Sequence, residues 1–426
     1  MIITENREKV KKNALRLINK GSNHLSKPEK KFMLEMVMGM LLTGSSNITE
    51  ISRSLRESIS IKDTVKRLSR MLSKGHILEI SNKISLNESR SKINAKTIVV
   101  LDMGDISHQY GRKFENMYKV YDGSIDSVSY GYWLNQITGY NPDIHETFPI
   151  LLDVYSVKER GFKSANTESI KLVERLREQL GDFGLWVMDR GYDRKYILSY
   201  FLNNRLDFFI RMGDSRNLLF RNKSHNIKEL ALGINRRIKY SSNARFGSKK
   251  LFLQLQGIDH QVTLICFKDK RNREPILFLS NGWIRSTKEL KRRIRGYFRR
   301  WSIEESYRFE KQGFGIEKAT IRKYSRIKTL IGLTILSWVL LIKINDSPKL
   351  REVILKKARM EKTKIKQRPK FIYYRLLKGV QNLFQGIAEL FRFRLKRKHK
   401  DKIKKEIWNK NSLFPDLQWK MAGLEI

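Results

Sequence analysis

Four polar side chains recur at helical spacing in the last third of the chain. They are Tyr297, Arg300, Glu304 and Lys311. Because an α-helix turns about 100° per residue, these positions fall within an arc of roughly 60° on one helix face. A carboxylate flanked by two cations is suited to holding a metal ion and gripping phosphates. The spacing therefore predicts a face that carries phosphoryl-transfer chemistry.

Two further carboxylates stand where buried strands are predicted to end. Asp102 directly follows the apolar, β-branched run 97–101, and Asp189 directly follows the run 185–188. Such runs are typical of strands buried on both faces, and open α/β sheets bind ligands beyond the carboxyl ends of their strands. Together with Glu304, the two aspartates predict a site for one or two Mg²⁺ ions, which prefer oxygen ligands.

Each aspartate also has a structural explanation. Asp102 is suited to a turn, and Asp105 is a rival for its role. We favour Asp102 because it abuts the buried run. Asp189 opens the segment Asp-Arg-Gly-Tyr-Asp and is equally suited to ending a strand before Asp193 caps the next helix.

Glu304 alone is also compatible with a surface ion pair. Arg300 lies four residues before it and Arg308 four residues after it, a spacing that ion pairs on exposed helices use. The aromatic residues Trp283 and Tyr307 near this helix are suited to stacking on an extruded base, but packing in the core is the more usual role of such side chains.

The composition indicates a folded protein with a polyanionic partner. In 426 residues, 87 Lys and Arg stand against 43 Asp and Glu, which gives a net charge of +44, while 40% of residues are hydrophobic. A charge of this size favours nucleic acid as the partner, with a membrane surface or a ribosome as alternatives. The single Cys266 excludes an intramolecular disulfide and a zinc finger.

We expect a cytoplasmic protein with no membrane span. The first residues contain no apolar segment of the kind that secretory signals have. The longest apolar run, 329–342, is too short to cross a bilayer and predicts a buried helix.

The order of predicted elements is that of a mixed α/β sheet. Helices fill the N-terminal region, and their short, turn-linked pattern is compatible with DNA binding or with plain packing. Strands at 97–101, 118–121, 130–137 and 148–154, a helix at 166–179, a strand at 185–188, a helix near 194–203 and a strand at 208–211 follow. This is the order of a ribonuclease-H-like core, although other α/β folds share parts of it.

These patterns predict five regions. They are a helical N-terminal DNA-binding region (1–90), the first part of a ribonuclease-H-like catalytic core (91–211), a β-rich insertion (212–280), the last part of the core with the Glu304 helix (281–345) and a basic helical C-terminal region (346–426).

The residues of the helix face carry a specific resemblance. Their Tyr-x2-Arg-x3-Glu-x6-Lys spacing, and the surrounding Tyr-x-x-Arg-Trp-x-Ile-Glu wording at 297–304, resemble the Tyr-Arg-Glu-Lys signature of the DDE transposases of bacterial insertion sequences. The segments ending at Asp102 and containing Asp189 look like that family's two aspartate motifs. The resemblance covers roughly residues 26–345. The residues that follow Asp102 depart from the family's usual sequence pattern.

The resemblance implies a set of roles. Asp102, Asp189 and Glu304 would be the catalytic metal ligands, and Tyr297, Arg300 and Lys311 would contact DNA phosphates. The cofactor would be Mg²⁺, with Mn²⁺ as a substitute. The partners would be double-stranded DNA with terminal inverted repeats and a target DNA, bound by a homodimer.

A transposase with this site would cleave transposon ends and transfer the 3′-OH strand to target DNA. Two alternatives use the same residues or their remnants. One is a ribonuclease-H-like nuclease without strand transfer, and the other is a domesticated DNA-binding regulator without chemistry.

A belt of cations surrounds the predicted Glu304 helix and indicates that DNA runs past the site, although solubilising charge is the alternative. These residues are Arg285, Lys288, Lys291, Arg292, Arg293, Arg295, Arg299, Lys318, Arg322, Lys323, Arg326 and Lys328.

Overall fold

The computed structural model describes residues 2–20, 25–108, 113–123, 126–358 and 371–385. Most of the predicted basic C-terminal region lies outside these residues. The described part is built on one twelve-stranded mixed sheet with helices packed against it.

Five strands form the half of the sheet that corresponds to the predicted catalytic core, here called the catalytic half. They are β1 (Ile98–Ser107), β3 (Ser127–Asn141), β4 (Glu146–Tyr155), β5 (Leu185–Met188) and β6 (Phe208–Arg211), and the short β2 (Tyr118–Asp122) pairs with the start of β3. Their order is β4-β3-β1-β5-β6, with β4, β3 and β1 antiparallel and β1, β5 and β6 parallel. This is the strand order of a ribonuclease-H-like core, so the predicted fold class is confirmed.

Helices cover this half as the apolar periodicity requires. Helix α6 (Ala165–Leu180) packs on β3 and β4, and α7 (Lys195–Asn203) packs on α6. The strand residues 98–101 and 185–188 are buried, because both faces of these parallel strands are covered.

The N-terminal helices form a layer around one long core helix. They are α1 (Ile2–Lys20), α2 (Lys27–Thr43), α3 (Ile48–Leu55), α4 (Ile61–Leu72) and α5 (His76–Ser89). The core helix α11 (Tyr324–Asp346) packs against α5, α2 and β4. It is long and apolar enough to cross a membrane by composition, but 89% of its apolar window is buried within the protein. The prediction of a buried helix for 329–342 is confirmed.

The segment between β6 and the Glu304 helix is rich in strands. It contains β7 (Asn217–Phe220), β8 (Lys223–Asn226), α8 (Ile227–Leu232), β9 (Ile238–Ser241), β10 (Ala244–Leu255), β11 (Ile258–Asp269) and β12 (Ile276–Asn281). The last of these strands, β12, pairs with β6 as well as with β11. The segment therefore extends the catalytic sheet instead of forming a separate one.

The predicted long helix is interrupted twice. Helix α9 (Thr287–Arg299) ends in a tight turn at Arg300, α10 (Trp301–Arg308) follows, and a π-helical turn occupies 309–313. A π turn holds one more residue than an α-helical turn, so side chains beyond it rotate away from the face that a uniform helix predicts. Helices α12 (Pro348–Lys357) and α13 (Tyr373–Phe384) complete the described chain.

Candidate active site

The parallel pairing of β1 with β5 brings Asp102 and Asp189 to the same level. Asp189 directly follows β5, as predicted, but the prediction that a strand ends before Asp102 is wrong, because β1 stays paired with β3 as far as Ser107. Val100 of β1 pairs with Val187 of β5, and each aspartate lies two residues beyond its valine. Since neighbouring strands lie about 4.8 Å apart, the two residues lie side by side on inner strands of the sheet. Asp189 is at the carboxyl end of β5, at the crevice where open α/β sheets bind ligands, and Asp102 lies beside it within β1.

Asp102 is a buried carboxyl group. It is 8% exposed, and its Oδ1 accepts a hydrogen bond from the backbone amide of Met103 at 3.0 Å. Burial raises the pKa of Asp102 to about 7, the Arg300 guanidinium opposes this rise, and the nearby Asp189 and Glu304 carboxylates add to it. A cation at this position would relieve both the burial cost and the repulsion between the three acids.

Arg300 joins the strand to the helix. Its Nη1 donates to Asp102 Oδ2 at 3.0 Å, and its Nη2 donates to Glu304 Oε1 at 2.9 Å. The Arg300 side chain is 11% exposed, whereas the Glu304 side chain is 51% exposed. The Arg300 guanidinium therefore bridges the buried Asp102 and the exposed Glu304, and holds the two carboxylates close together.

Asp189 occupies the rim of the same crevice. It is half-buried, and its Oδ1 accepts from the backbone amide of Gly191 at 2.7 Å, which caps the short helical turn that follows β5. Its neighbour Asp193 instead binds Arg216 and the backbone amide of Gly213. Asp189 thus ends its strand, as the structural alternative had it, and still lies near Asp102 and Arg300.

Tyr297 lies beneath the site in an aromatic cluster. It is 4% exposed, and its ring centroid is 4.6 Å from that of Phe278 and 6.4 Å from that of Phe209. The Arg300 guanidinium carbon lies 5.8 Å from the centre of the Tyr297 ring. In this structure the buried tyrosine ring packs near Arg300.

Lys311 lies with a second group of acids. Its ammonium is 3.0 Å from Asp105 Oδ2 and 3.0 Å from Glu317 Oε1. The carboxylates of Asp105, Glu317 and Asp122 approach within 4.8 Å of one another. The sequence did not predict this cluster, because Asp122 and Glu317 come from segments with no recognisable motif.

The two candidates for the first aspartate have different surroundings. The register of β1 with β3 is unbroken from Ile98 to Ser107, so side chains three positions apart point to opposite faces of β1. Asp102 is the one whose carboxyl group contacts Arg300 and feels Asp189 and Glu304. The structure therefore groups Asp102, and not Asp105, with the other two predicted ligands.

Tyr307 packs on the face of β1 that Asp102 and Gly104 share. Its hydroxyl donates to the backbone carbonyl oxygen of Asp102 at 2.7 Å. A Cβ on Gly104 would lie 3.1 Å from the Tyr307 ring, so the glycine lets α10 approach the strand closely. Tyr307 is buried, which agrees with the packing role expected of it, and its contact with Asp102 was not foreseen.

A buried carboxyl group lies just behind the site. Glu310, on the π turn, is 0% exposed and accepts from Gln136 Nε2 at 3.2 Å, and Gln136 is the β3 residue that pairs with Asp102. Glu310 Oε2 and Gln136 Oε1 are both buried without a hydrogen-bond partner. Burial raises the pKa of Glu310 to about 8, and the hydrogen bond from Gln136 opposes the rise only in part.

The chain matches a known family over part of its length. Residues 160–340 match the family model described as Transposase DDE domain. This range contains Asp189 and Glu304 and spans less than half of the chain, and Asp102 precedes it. The match supports a transposase that acts on DNA through a DDE motif. No curated protein sequence matches the chain.

Two solved structures show loose similarity. One is the piggyBac transposase synaptic complex with hairpin DNA, which is 13% identical, with 92% of this chain and 80% of that chain covered at a TM-score of 0.45. The other is endonuclease V from Bacillus subtilis, which is 9% identical, with 54% of this chain and 93% of that chain covered at a TM-score of 0.26. The ribonuclease-H-like fold is assigned from the strand order of this chain and not from these two similarities.

Proposed function

We propose that the protein is a DNA transposase that cleaves transposon ends and transfers the freed 3′-OH strand to target DNA. The observation that carries the proposal is the fork of Arg300 between Asp102 and Glu304, at the level of Asp189 on the neighbouring strand. Three acids from separate elements converge on one crevice in a chain whose net charge is +44. Such a crevice suits a polyanionic substrate only if cations neutralise the acids.

The donor set fits a hard divalent cation. Asp102, Asp189 and Glu304 offer only oxygen ligands, which Mg²⁺ and Mn²⁺ prefer. Bound ions would activate the attacking water or 3′-hydroxyl and stabilise the leaving oxygen of an in-line displacement. Burial is the main cause of the raised pKa of Asp102, and a bound cation would offset it.

The chain's own residues supply orientation and charge. Arg300 holds Asp102 and Glu304 in register, and its planar fork is suited to transfer one contact to a phosphate oxygen. Lys311 would act as a point charge for a phosphate if it left Asp105 or Glu317. Tyr297 is proposed to act chiefly by holding Arg300, and contact between its hydroxyl and a phosphate stays a prediction.

Cleavage of DNA that carries the ends bordering this gene tests the proposal. With Mg²⁺ we expect the parent to cut these ends, and Asp102→Asn, Asp189→Asn and Glu304→Gln to lose cutting by a factor of roughly 10³ or more. Asp105→Asn should lose far less. Cutting by Asp189→Asn and Glu304→Gln at the rate of the parent would refute this site.

Strand transfer is tested separately. A labelled donor with a free 3′-hydroxyl and a target plasmid should yield joined product only with a transposase. Cleaved product without joined product would favour the nuclease, and Mg²⁺-independent binding without cleavage would favour the regulator. We also propose terminal inverted repeats as the bound sequence, a homodimer in the DNA complex, and action in the cytoplasm on the nucleoid of a bacterial host.

A further inference from the structure

A basic groove runs between the first helix and the end of the core helix. Its volume is about 460 Å³, and it lies between α1 on one side and the junction of α11 and α12 on the other. The residues that determine its charge are Lys9, Lys12, Arg16, Lys343 and Asp346. The groove is separate from the crevice that contains Asp102 and Glu304.

The α1 wall carries cations along one stripe. Lys9, Lys12 and Arg16 fall within an arc of roughly 60° on the helix, and all three are exposed. The opposite side of α1 is buried through Val10 and Leu17, so the stripe must face outward. Lys9 pairs with Glu5 at 2.7 Å.

Lys12 and Arg16 stand out because their charges are not neutralised. Within the described part of the chain, neither side chain has a hydrogen bond or an ion pair. Two unpaired cations one helical turn apart on a groove wall can contact successive phosphates of a nucleic acid backbone. Their spacing along the helix axis is about 6 Å, close to the phosphate spacing of one strand.

The negative charge on the opposite wall of the groove is compensated, so this wall would not repel a phosphate. Asp346 is the acid of this wall, and Lys92 Nζ lies 2.7 Å from its Oδ1, so its charge is compensated. Lys343 pairs with Glu88. Helix α12 begins just after Ser347, and the positive end of its dipole points to this end of the groove.

We propose that this groove binds the phosphate backbone of duplex DNA through Lys12 and Arg16. The inference rests on the proposed function only in naming DNA as the polyanion. The ammonium of Lys92 that holds Asp346 also lies 2.7 Å from Glu146 Oε2, so the two acids share one counter-charge.

The test measures binding without catalysis. Fluorescence anisotropy with a 30-base-pair duplex of arbitrary sequence, in EDTA and from 50 to 300 mM salt, gives the slope of log affinity against log salt. Each lost phosphate contact should reduce this slope by about 0.9. We therefore expect Lys12→Glu/Arg16→Glu to reduce the slope by roughly 2 and to weaken binding roughly 50-fold near 0.1 M salt.

A matched control removes the same charge elsewhere. Lys270→Glu/Arg273→Glu alters two exposed cations of the turn between β11 and β12. The milder Lys12→Gln/Arg16→Gln keeps the helix face polar and guards against a folding defect, which thermal melting checks. This variant should lose the same number of contacts and show the same change in slope.

The possible results distinguish a failure of the groove proposal from a failure of the proposed function. A groove variant that melts like the parent and has the salt slope of the control variant would overturn only the proposal that this groove binds DNA. A parent protein that shows no salt-dependent binding to the duplex would contradict the proposed function itself. A loss of slope confined to the groove variants would support the proposal even if cleavage had not yet been observed.

Discussion

Replacing Glu310 with Gln should make the protein less sensitive to alkaline pH. In the folded protein the Glu310 carboxyl group is fully buried, and its one hydrogen bond comes from Gln136 Nε2. Protonation supplies a donor for Gln136 Oε1, which otherwise has none. A glutamine at position 310 carries such a donor at every pH, so it imitates the protonated acid.

The expected size follows from the pKa of Glu310. It is about 8 in the folded protein, against 4.5 for the free side chain. Between these values the folded state binds more protons than the unfolded state, so stability falls as pH rises from about 4.5 through about 8. The difference corresponds to about 5 kcal/mol over the full range and to about 3 to 4 kcal/mol between pH 5 and pH 8.

Thermal melting of the parent and of Glu310→Gln at several pH values between 5 and 9 measures this effect. The two proteins should melt within about 1 °C of each other at pH 5. At pH 8 the variant should melt about 4 °C higher, given an unfolding entropy of roughly 2.1 cal/mol/K per residue. Glu305→Gln, which removes a solvent-accessible carboxylate from the same helical segment, should follow the parent throughout.

The reasoning fails if the parent and Glu310→Gln keep the same difference in melting temperature at pH 5 and pH 8. Such a result would mean that the pKa of Glu310 is not raised and that another group in the folded protein stabilises its charged form. A variant that is less stable than the parent at pH 5 would instead show that glutamine does not fit the Gln136 pocket.

Three further changes probe the contacts around the site. Arg300→Lys should lower end cleavage roughly 10- to 100-fold while the protein stays folded, because an ammonium cannot bridge Asp102 and Glu304 as the fork does; undiminished cleavage would contradict this role. Tyr307→Phe should destabilise the protein by about 1 kcal/mol in chemical denaturation, since the buried hydrogen bond from its hydroxyl to the carbonyl oxygen of Asp102 is lost, and no change would mean that this bond adds nothing to the pairing of Asp102 with Gln136. Gly131→Ala should lower the yield of folded protein sharply, because the new Cβ would lie 2.0 Å from the carbonyl oxygen of Ile106; normal solubility and melting would show that β1 and β3 can separate there.

Much of the catalytic half was predictable because its signals are local. The buried runs before Asp102 and Asp189 are continuous and apolar, and both form strands as predicted, but β1 continues past Asp102 to Ser107. Their side-by-side placement followed from the strand order of the fold. The strand-end rule holds for Asp189 but not for Asp102, which lies inside β1 opposite Gln136 of β3.

The helix face was only partly predictable. A uniform turn of 100° per residue put Lys311 beside Glu304, but the π turn at 309–313 carries Lys311 to Asp105 and Glu317. Single π turns are rare, so the regular helical periodicity used for the prediction does not include them. The burial of Glu310 is the same kind of feature, since its sequence context does not distinguish it from Glu305.

The pairing of β12 with β6 has a consequence for how the chain is organised. The chain leaves the catalytic half at Arg211 and returns through Phe278, which is hydrogen-bonded beside it. The two ends of the intervening segment are thus one strand spacing apart, whatever the length of the chain between them. The position of α9 is set by this pairing and by Phe267 of β11, whose ring centroid lies 5.2 Å from that of Phe298. The strands β7 and β8 at the far end of the sheet can therefore change in size or shape while Glu304 keeps its distance from Asp189.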